Sequence, residues 1–225
     1  NNAFGIALND GANAAGGSIT VNAESLTSTA LTLDLSAETD GAYTVKLKGS
    51  GNHIIPLGQG NDTLQVHDVT TGVITVTGTG GNNTITTAEG NDIITVGSGN
   101  DNITSGLGAD TIKSTNGALD QNDTVAAGAG TDTIQYTNAS TVRDSDFTNV
   151  TGVEAITMNG DNAGTFTLGA SAAAAGIATI TFTDNDTADT LTLGAGFTNN
   201  ATVVLAADGA ANTCLLYTSD AADES

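Results

Sequence analysis

The sequence predicts an all-β solenoid, and three observations carry that prediction. Residues 88–114 read AEGNDIITV GSGNDNITS GLGADTIKS in consecutive nines, with Gly two before an Asp and an apolar residue two after it: Gly90, Asp92 and Ile94; Gly99, Asp101 and Ile103; Gly108, Asp110 and Ile112. Self-similarity at so short a period marks stacked coils, none of which buries its apolar face alone. The composition has 29 Gly, 1 Pro and no Trp, with 13% charged residues, which suits short strands joined by Gly, Asn and Asp turns rather than long helices. Outside the nines, β-branched residues alternate with period two, the pattern of half-buried strands.

Taken in chain order, residues 1–48 form a β-rich flank with strands predicted around SITVN at Ser18, ALTLDL at Ala30 and YTVKLK at Tyr43. Their spacing fits either hairpins or coils of a wider β-helix. Residues 49–136 are the nonapeptide region. Its anchors are His53, Asp62, Asn83, Asp92, Asp101, Asp110, Asp123 and Asp132, and the apolar partners two later are Ile55, Leu64, Ile85, Ile94, Ile103, Ile112, Val125 and Ile134. A segment around Val73 to Val76 interrupts the register, and four extra residues enter between Asp110 and Asp123, expected as a surface bulge. Residues 137–213 change character: ITM at Ile156, ITF at Ile180 and VVL at Val203 predict a second β-solenoid with coils of about two dozen residues. The run Ala172 to Ala175 reads as one helical turn or a packed loop, too short to nucleate a helix alone.

Residues 214–225 are set apart. CLLYTSDAADE, from Cys214, resembles the in-frame translation of a transposase sequencing adapter and is read as an adapter-derived tail. The chain before it has no cysteine, which argues against a disulfide scaffold and is compatible with bacterial secretion. Because the chain begins at Asn1 rather than Met, it reads as a fragment.

The formal net charge is -21. Such a field repels nucleic acid and anionic membrane surfaces and attracts cations. No apolar run is long enough for a transmembrane helix, so membrane insertion is not expected. No zinc helix, nucleophile elbow or Walker loop is present, and His53 and His67 lack triad or zinc spacing, so no catalytic residue is assigned and the chain is not expected to be an enzyme. Asp184, Asp186 and Asp189 read as a solvated turn.

Each nonapeptide divides into a six-residue turn and a three-residue strand whose central apolar residue points inward. Gly lets the turn approach an ion closely, the Asp supplies a hard anionic oxygen, and turn carbonyls supply more, which is the all-oxygen environment Ca²⁺ requires. These residues resemble the RTX, or haemolysin-type calcium-binding, repeat family, with its pattern G-G-x-G-x-D-x-U-x, where U is apolar. The resemblance implies a parallel β-roll, flanked here by β-strand-rich and β-helical segments, with two nonapeptides per coil and Ca²⁺ between successive turns. It places metal ligands at Asp62, Asp92, Asp101, Asp110, Asp123, Asp132 and Asn83, with Gly58, Gly60, Gly90, Gly97, Gly99, Gly106, Gly108, Gly128 and Gly130 in the turns. Asp92 is expected to stack on Asp110, Asp101 on Asp123 and Asp110 on Asp132. The first Gly of the pattern is replaced by Thr87, Val96, Ser105 and Ala127. His53 is a poor calcium ligand.

The long Thr/Ala/Gly-rich flanks resemble those of RTX-bearing surface-layer proteins and adhesins. That resemblance implies a secreted, extracellular structural protein at the bacterial cell surface, exported by a type I system and folding on calcium, with self-assembly or a cell-surface glycan or protein as partner. The alternative is the non-catalytic RTX portion of a secreted protease, lipase or epimerase.

Overall fold

The computed structural model describes residues 3–11, 16–67, 71–115, 117–138, 141–159, 163–183, 188–205 and 212–216. It is a parallel β-solenoid of about eight turns. One wall is a ten-stranded sheet that runs from Phe4–Ala7 to Thr202–Leu205 and takes alternate strands of the chain. The facing wall is a seven-stranded sheet from Ser18–Ala23 to Val150–Thr151, and a four-stranded sheet from Thr141–Val142 to Thr213–Leu216 takes over beyond it. Parallel pairing excludes hairpins in the N-terminal flank: Ser18–Ala23 pairs in parallel with Ala42–Lys48.

Period two in the sequence becomes an inside and an outside. Ile94, Ile103, Ile112, Val125 and Ile134 are fully buried. Like residues stack in register, Ile94 on Ile112, Ile112 on Ile134, Ile134 on Ile156 and Ile156 on Ile180. Ile85, Ile103 and Val125 form the opposing stack. Each such side chain, fully buried, contributes roughly 1.5–3 kcal/mol, so the coils cohere through these two ladders.

The apparent gap between Asp62 and Asn83 holds a complete half-coil. Ile74–Thr77 pairs with His53–Pro56 on one side and Ile93–Thr95 on the other, with Ile74 and Val76 buried. An apolar residue occupies the anchor position there, since Ile74 aligns with His53. The insertion before Asp123 leaves the pairing of Thr111–Ser114 with Thr133–Tyr136 intact, but it is not all outside: Leu119 tucks into the core, and its amide donates to Ser114 Oγ at 3.0 Å.

Ala170–Ala175 is a short α-helix. Too short to hold itself together, it is fixed at both ends. The Gly169, Ser171 and Ala172 amides donate to the Asp144 carboxylate at 2.7, 3.1 and 2.9 Å, and Gly176 closes the other end at φ 111°. The helix packs against Val150–Thr151, the last strand of the seven-stranded wall, and covers an edge that would otherwise be open. Inside this region Phe166 makes edge-on contacts with Tyr136 and Phe182, both at 5.6 Å between ring centres. Thr213–Leu216 adds in parallel to Thr190–Leu193 with all four residues exposed.

Candidate calcium sites

The turns between the walls stack into two columns, one leading into each sheet. Asp92, Asp110 and Asp132 lie in the first; Asp62, Asn83, Asp101 and Asp123 lie in the second. The strands explain the stacking, because Ile94 is paired with Ile112 and Ile103 with Val125, so residues two earlier must also superpose. The expected pairs Asp92 with Asp110, Asp101 with Asp123 and Asp110 with Asp132 all come together.

A single hydrogen bond recurs along both columns. The amide of one coil donates to the anchor side chain of the next: Ile74 to Asp92, Asp92 to Asp110 and Asp110 to Asp132, each at 2.8 Å. In the second column Tyr43 donates to Asp62, Asp62 to Asn83, Asn83 to Asp101 and Asp101 to Asp123, at 2.7–3.0 Å. All six Asp residues are almost fully buried.

One carboxylate oxygen is thus occupied; the second differs from one Asp to another. Oδ2 of Asp92, Asp110 and Asp132 is buried without a hydrogen-bond partner, as is Oδ2 of Asp62. Thr87 and Ser105 stand close enough to Asp92 and Asp110 to favour their anions, but each hydroxyl donates to a carbonyl, Thr87 Oγ1 to that of Ser105 and Ser105 Oγ to that of Ala127. In the second column the Asp120 amide reaches Asp123 Oδ2 at 2.8 Å, and the Asn83 side chain helps to hold Asp101 as an anion. Burial is the main influence on all six, and it pushes the carboxyls of Asp62, Asp92 and Asp132 up to about 6. It also raises Asp101, Asp110 and Asp123 against the pull of the donated amides. A buried carboxylate oxygen with no donor is costly unless a proton or a cation meets it. The donor set here is oxygen and anionic, so it fits Ca²⁺, and Asp92, Asp110, Asp132 and Asp62 are the residues with an oxygen to offer.

The turn glycines serve coil-to-coil approach as much as backbone freedom. Gly108 has φ 133°, and a Cβ there would fall on the Gly90 carbonyl oxygen of the coil beneath. Gly97 lacks a positive φ, yet a Cβ would still come within 2.9 Å of the Gly78 carbonyl carbon. Where the first pattern Gly is missing, Thr87 and Ser105 are buried and stitch successive coils through their hydroxyls.

Three features escape a reading by Gly-x-Asp alone. The Asn before the anchor reaches the opposite way: Asn61 Oδ1 accepts from the Asn82 amide and Asn82 Oδ1 from the Asn100 amide, so an Asn-Asp pair grips both neighbouring coils. Its signal is the recurrence of Gly-Asn-Asp at 60–62, 90–92 and 99–101. Glu154 continues the first column by accepting the Asp132 amide at 2.8 Å, and Gly152, Glu154 and Ile156 preserve the spacing with Glu for Asp. Asp189 is buried rather than solvated; it accepts the Gly164 amide at 2.6 Å, and its Oδ2 has no partner. Asp184 and Asp186 lie outside the described residues. His53 fills an anchor position as a neutral acceptor: its Nδ1 takes the Leu31 amide at 3.2 Å, and burial holds its imidazole below the usual range.

A family model for the RTX calcium-binding nonapeptide repeat matches in four copies, over residues 77–112 and 118–135. The chain carries RTX repeats. The matched residues contain Asp92, Asp101, Asp110, Asp123 and Asp132, the middle of both columns. RTX repeats bind Ca²⁺, and their β-roll is a structural calcium-binding domain. Neither the curated proteins nor the solved structures compared with the chain give a match.

Proposed function

We propose that this RTX solenoid is an extracellular structural module of the surface-layer or adhesin type, folded by calcium on secretion. Asp62, Asp92, Asp101, Asp110, Asp123, Asp132 and Asn83 hold the ions, together with carbonyls of the turns that contain Gly58, Gly60, Gly90, Gly97, Gly99, Gly106, Gly108, Gly128 and Gly130. Bound Ca²⁺ supplies the positive charge and the oxygen coordination that tie successive turns. The carrying observation is the run of buried, unpartnered Oδ2 atoms at Asp92, Asp110 and Asp132, one per coil in a single column. Without a cation these carboxylates oppose the fold, so metal binding and folding are coupled. Low cytosolic and high external calcium then confine folding to the outside.

A calcium titration followed by circular dichroism tests the coupling. The β signal rises with calcium and collapses in excess chelator; an unchanged signal in chelator rejects calcium-driven folding. Light scattering at millimolar Ca²⁺ tests the lattice version, which a purely monomeric folded protein rejects.

A further inference from the structure

A second kind of acidic site lies in the N-terminal flank, outside the RTX match. The turn at residues 36–41 separates Leu31–Asp34 from Ala42–Lys48 and carries Glu38 and Asp40. Glu38 is fully buried. Its backbone is held at both ends, its amide donating to the Leu35 carbonyl and its carbonyl accepting the Gln59 amide, both at 3.0 Å. The Tyr43 hydroxyl donates to Oε2 at 2.8 Å, while Oε1 is buried with no partner. Asp10 comes from the coil below, where the Thr39 hydroxyl fixes its Oδ1 at 2.7 Å. One carboxylate oxygen from each of Asp10, Glu38 and Asp40 lies within 4.8 Å of the others.

We propose that Asp10, Glu38 and Asp40 form a Ca²⁺ site separate from the RTX turns. Oxygens around one Ca²⁺ sit at about 2.3–2.6 Å from it and so no more than about 5 Å apart, a limit this trio already meets. The donors are all carboxylates, which favours a hard cation over zinc or copper. The unpartnered Oε1 is the decisive group. Tyr43 and the fixed backbone leave Glu38 little freedom to turn that oxygen toward water, and a buried carboxylate oxygen requires a cation or a proton. The ligands differ from those of a nonapeptide turn, being three side chains from two coils with no Gly-x-Asp among them. The site also lies where extra cohesion matters, because all four residues of Phe4–Ala7 are exposed and the core there is thin. An ion shared by Asp10 and the 36–41 turn fastens that first coil to the second.

Terbium replaces Ca²⁺ and emits when an adjacent tyrosine is excited, and the chain has no Trp to compete. In the full chain carrying Asp62→Asn, which removes the carboxylate holding the Tyr43 amide, tyrosine-sensitised terbium emission persists and calcium displaces it. Adding Asp10→Asn and Asp40→Asn, both at exposed positions, lowers the emission severalfold, and Tyr43→Phe abolishes most of it. Calorimetric titration of the Asp10→Asn, Asp40→Asn double variant without the Asp62 change counts one Ca²⁺ fewer than wild type, with an unchanged circular dichroism spectrum at saturating calcium. Equal emission and equal calcium stoichiometry with and without the double substitution overturn the site. The calcium count does not depend on which atoms hold calcium in the RTX turns.

Discussion

At the residue scale, the anchor Asp has two opposed energetic roles. Its Oδ1 accepts a hydrogen bond from the coil before it, while at Asp62, Asp92, Asp110 and Asp132 the buried Oδ2 has no partner and opposes the fold unless a proton or a cation meets it. Asp92→Asn therefore has effects of opposite sign. In calcium it weakens binding by at least about tenfold, since even outer groups around a metal are worth 10–100-fold. In chelator it stabilises the fold by removing a buried charge while keeping an oxygen for the Ile74 amide. Thermal melts of both proteins in each condition check this; destabilisation in both removes Asp92 from the metal.

The pH dependence in chelator follows the same logic. An unfolded Asp titrates near 3.8, while burial raises Asp62, Asp92 and Asp132 to about 6 in the fold. Below 3.8 both states are protonated and the fold bears no charge penalty. As pH rises through about 6 the buried groups ionise, and that stability is lost. The calcium-free protein is accordingly more stable at pH 4.5 than at pH 7.5, measured by urea midpoint, and saturating calcium narrows or reverses the difference. Asp144 opposes this trend: burial raises its carboxyl, but three helix amides outweigh burial and hold it below its ordinary value, so its contribution is lost only in stronger acid.

At the scale of elements, turn and helix are each governed by one close contact. Gly108→Ala places a methyl on the Gly90 carbonyl oxygen at a positive φ, and the strain alone costs about 1–3 kcal/mol. The urea midpoint falls while Asp110 remains in place, so calcium binding weakens without the loss of a carboxylate. Asp144→Ala removes the acceptor for three amides of Ala170–Ala175 and its approach. A lost cap of one or two bonds costs about 0.5–2 kcal/mol, so a loss at or above the upper end is expected, with faster hydrogen exchange confined to this helix and the neighbouring Val150–Thr151. The sequence alone left a helical turn and a packed loop both open, because the cap lies 25 to 28 residues upstream, beyond any local motif.

At the scale of the whole molecule, most of the solenoid was legible because burial imposes period two and stacking imposes period nine. Ile94, Ile103 and Ile112 announced both at once. The half-coil at Ile74–Thr77 was obscured because an isoleucine sits at the anchor, so only stacking against His53–Pro56 reveals its register. Leu119 was missed because an insertion looks equally polar whether its one leucine turns in or out. The carboxylate columns were visible as a spacing; which of their second oxygens lack a partner was not, since it depends on where Asp120, Asn83, Thr87 and Ser105 send their hydrogen atoms. Glu154 fell outside the pattern by one methylene.

The column bonds also have a direction. Apart from that of Asp123, which donates to the Asp120 carbonyl of its own turn, the anchor amides of both columns are answered by the coil that follows in sequence, as when Asp132 is met by Glu154. The two ends of a shortened solenoid are therefore chemically unequal. A chain ending after residue 136 leaves the Asp132 amide unanswered at a fresh stump, whereas removing coils from the front frees an anchor acceptor that can take a water or an ion, together with amides such as that of Asn82, which Asn61 had met. Ending the chain after residue 136 should therefore speed hydrogen exchange at the Asp132 amide, and removing the coils through residue 61 should speed it at the Asn82 amide, so that each end of a shortened rod frays at a different position of its turn.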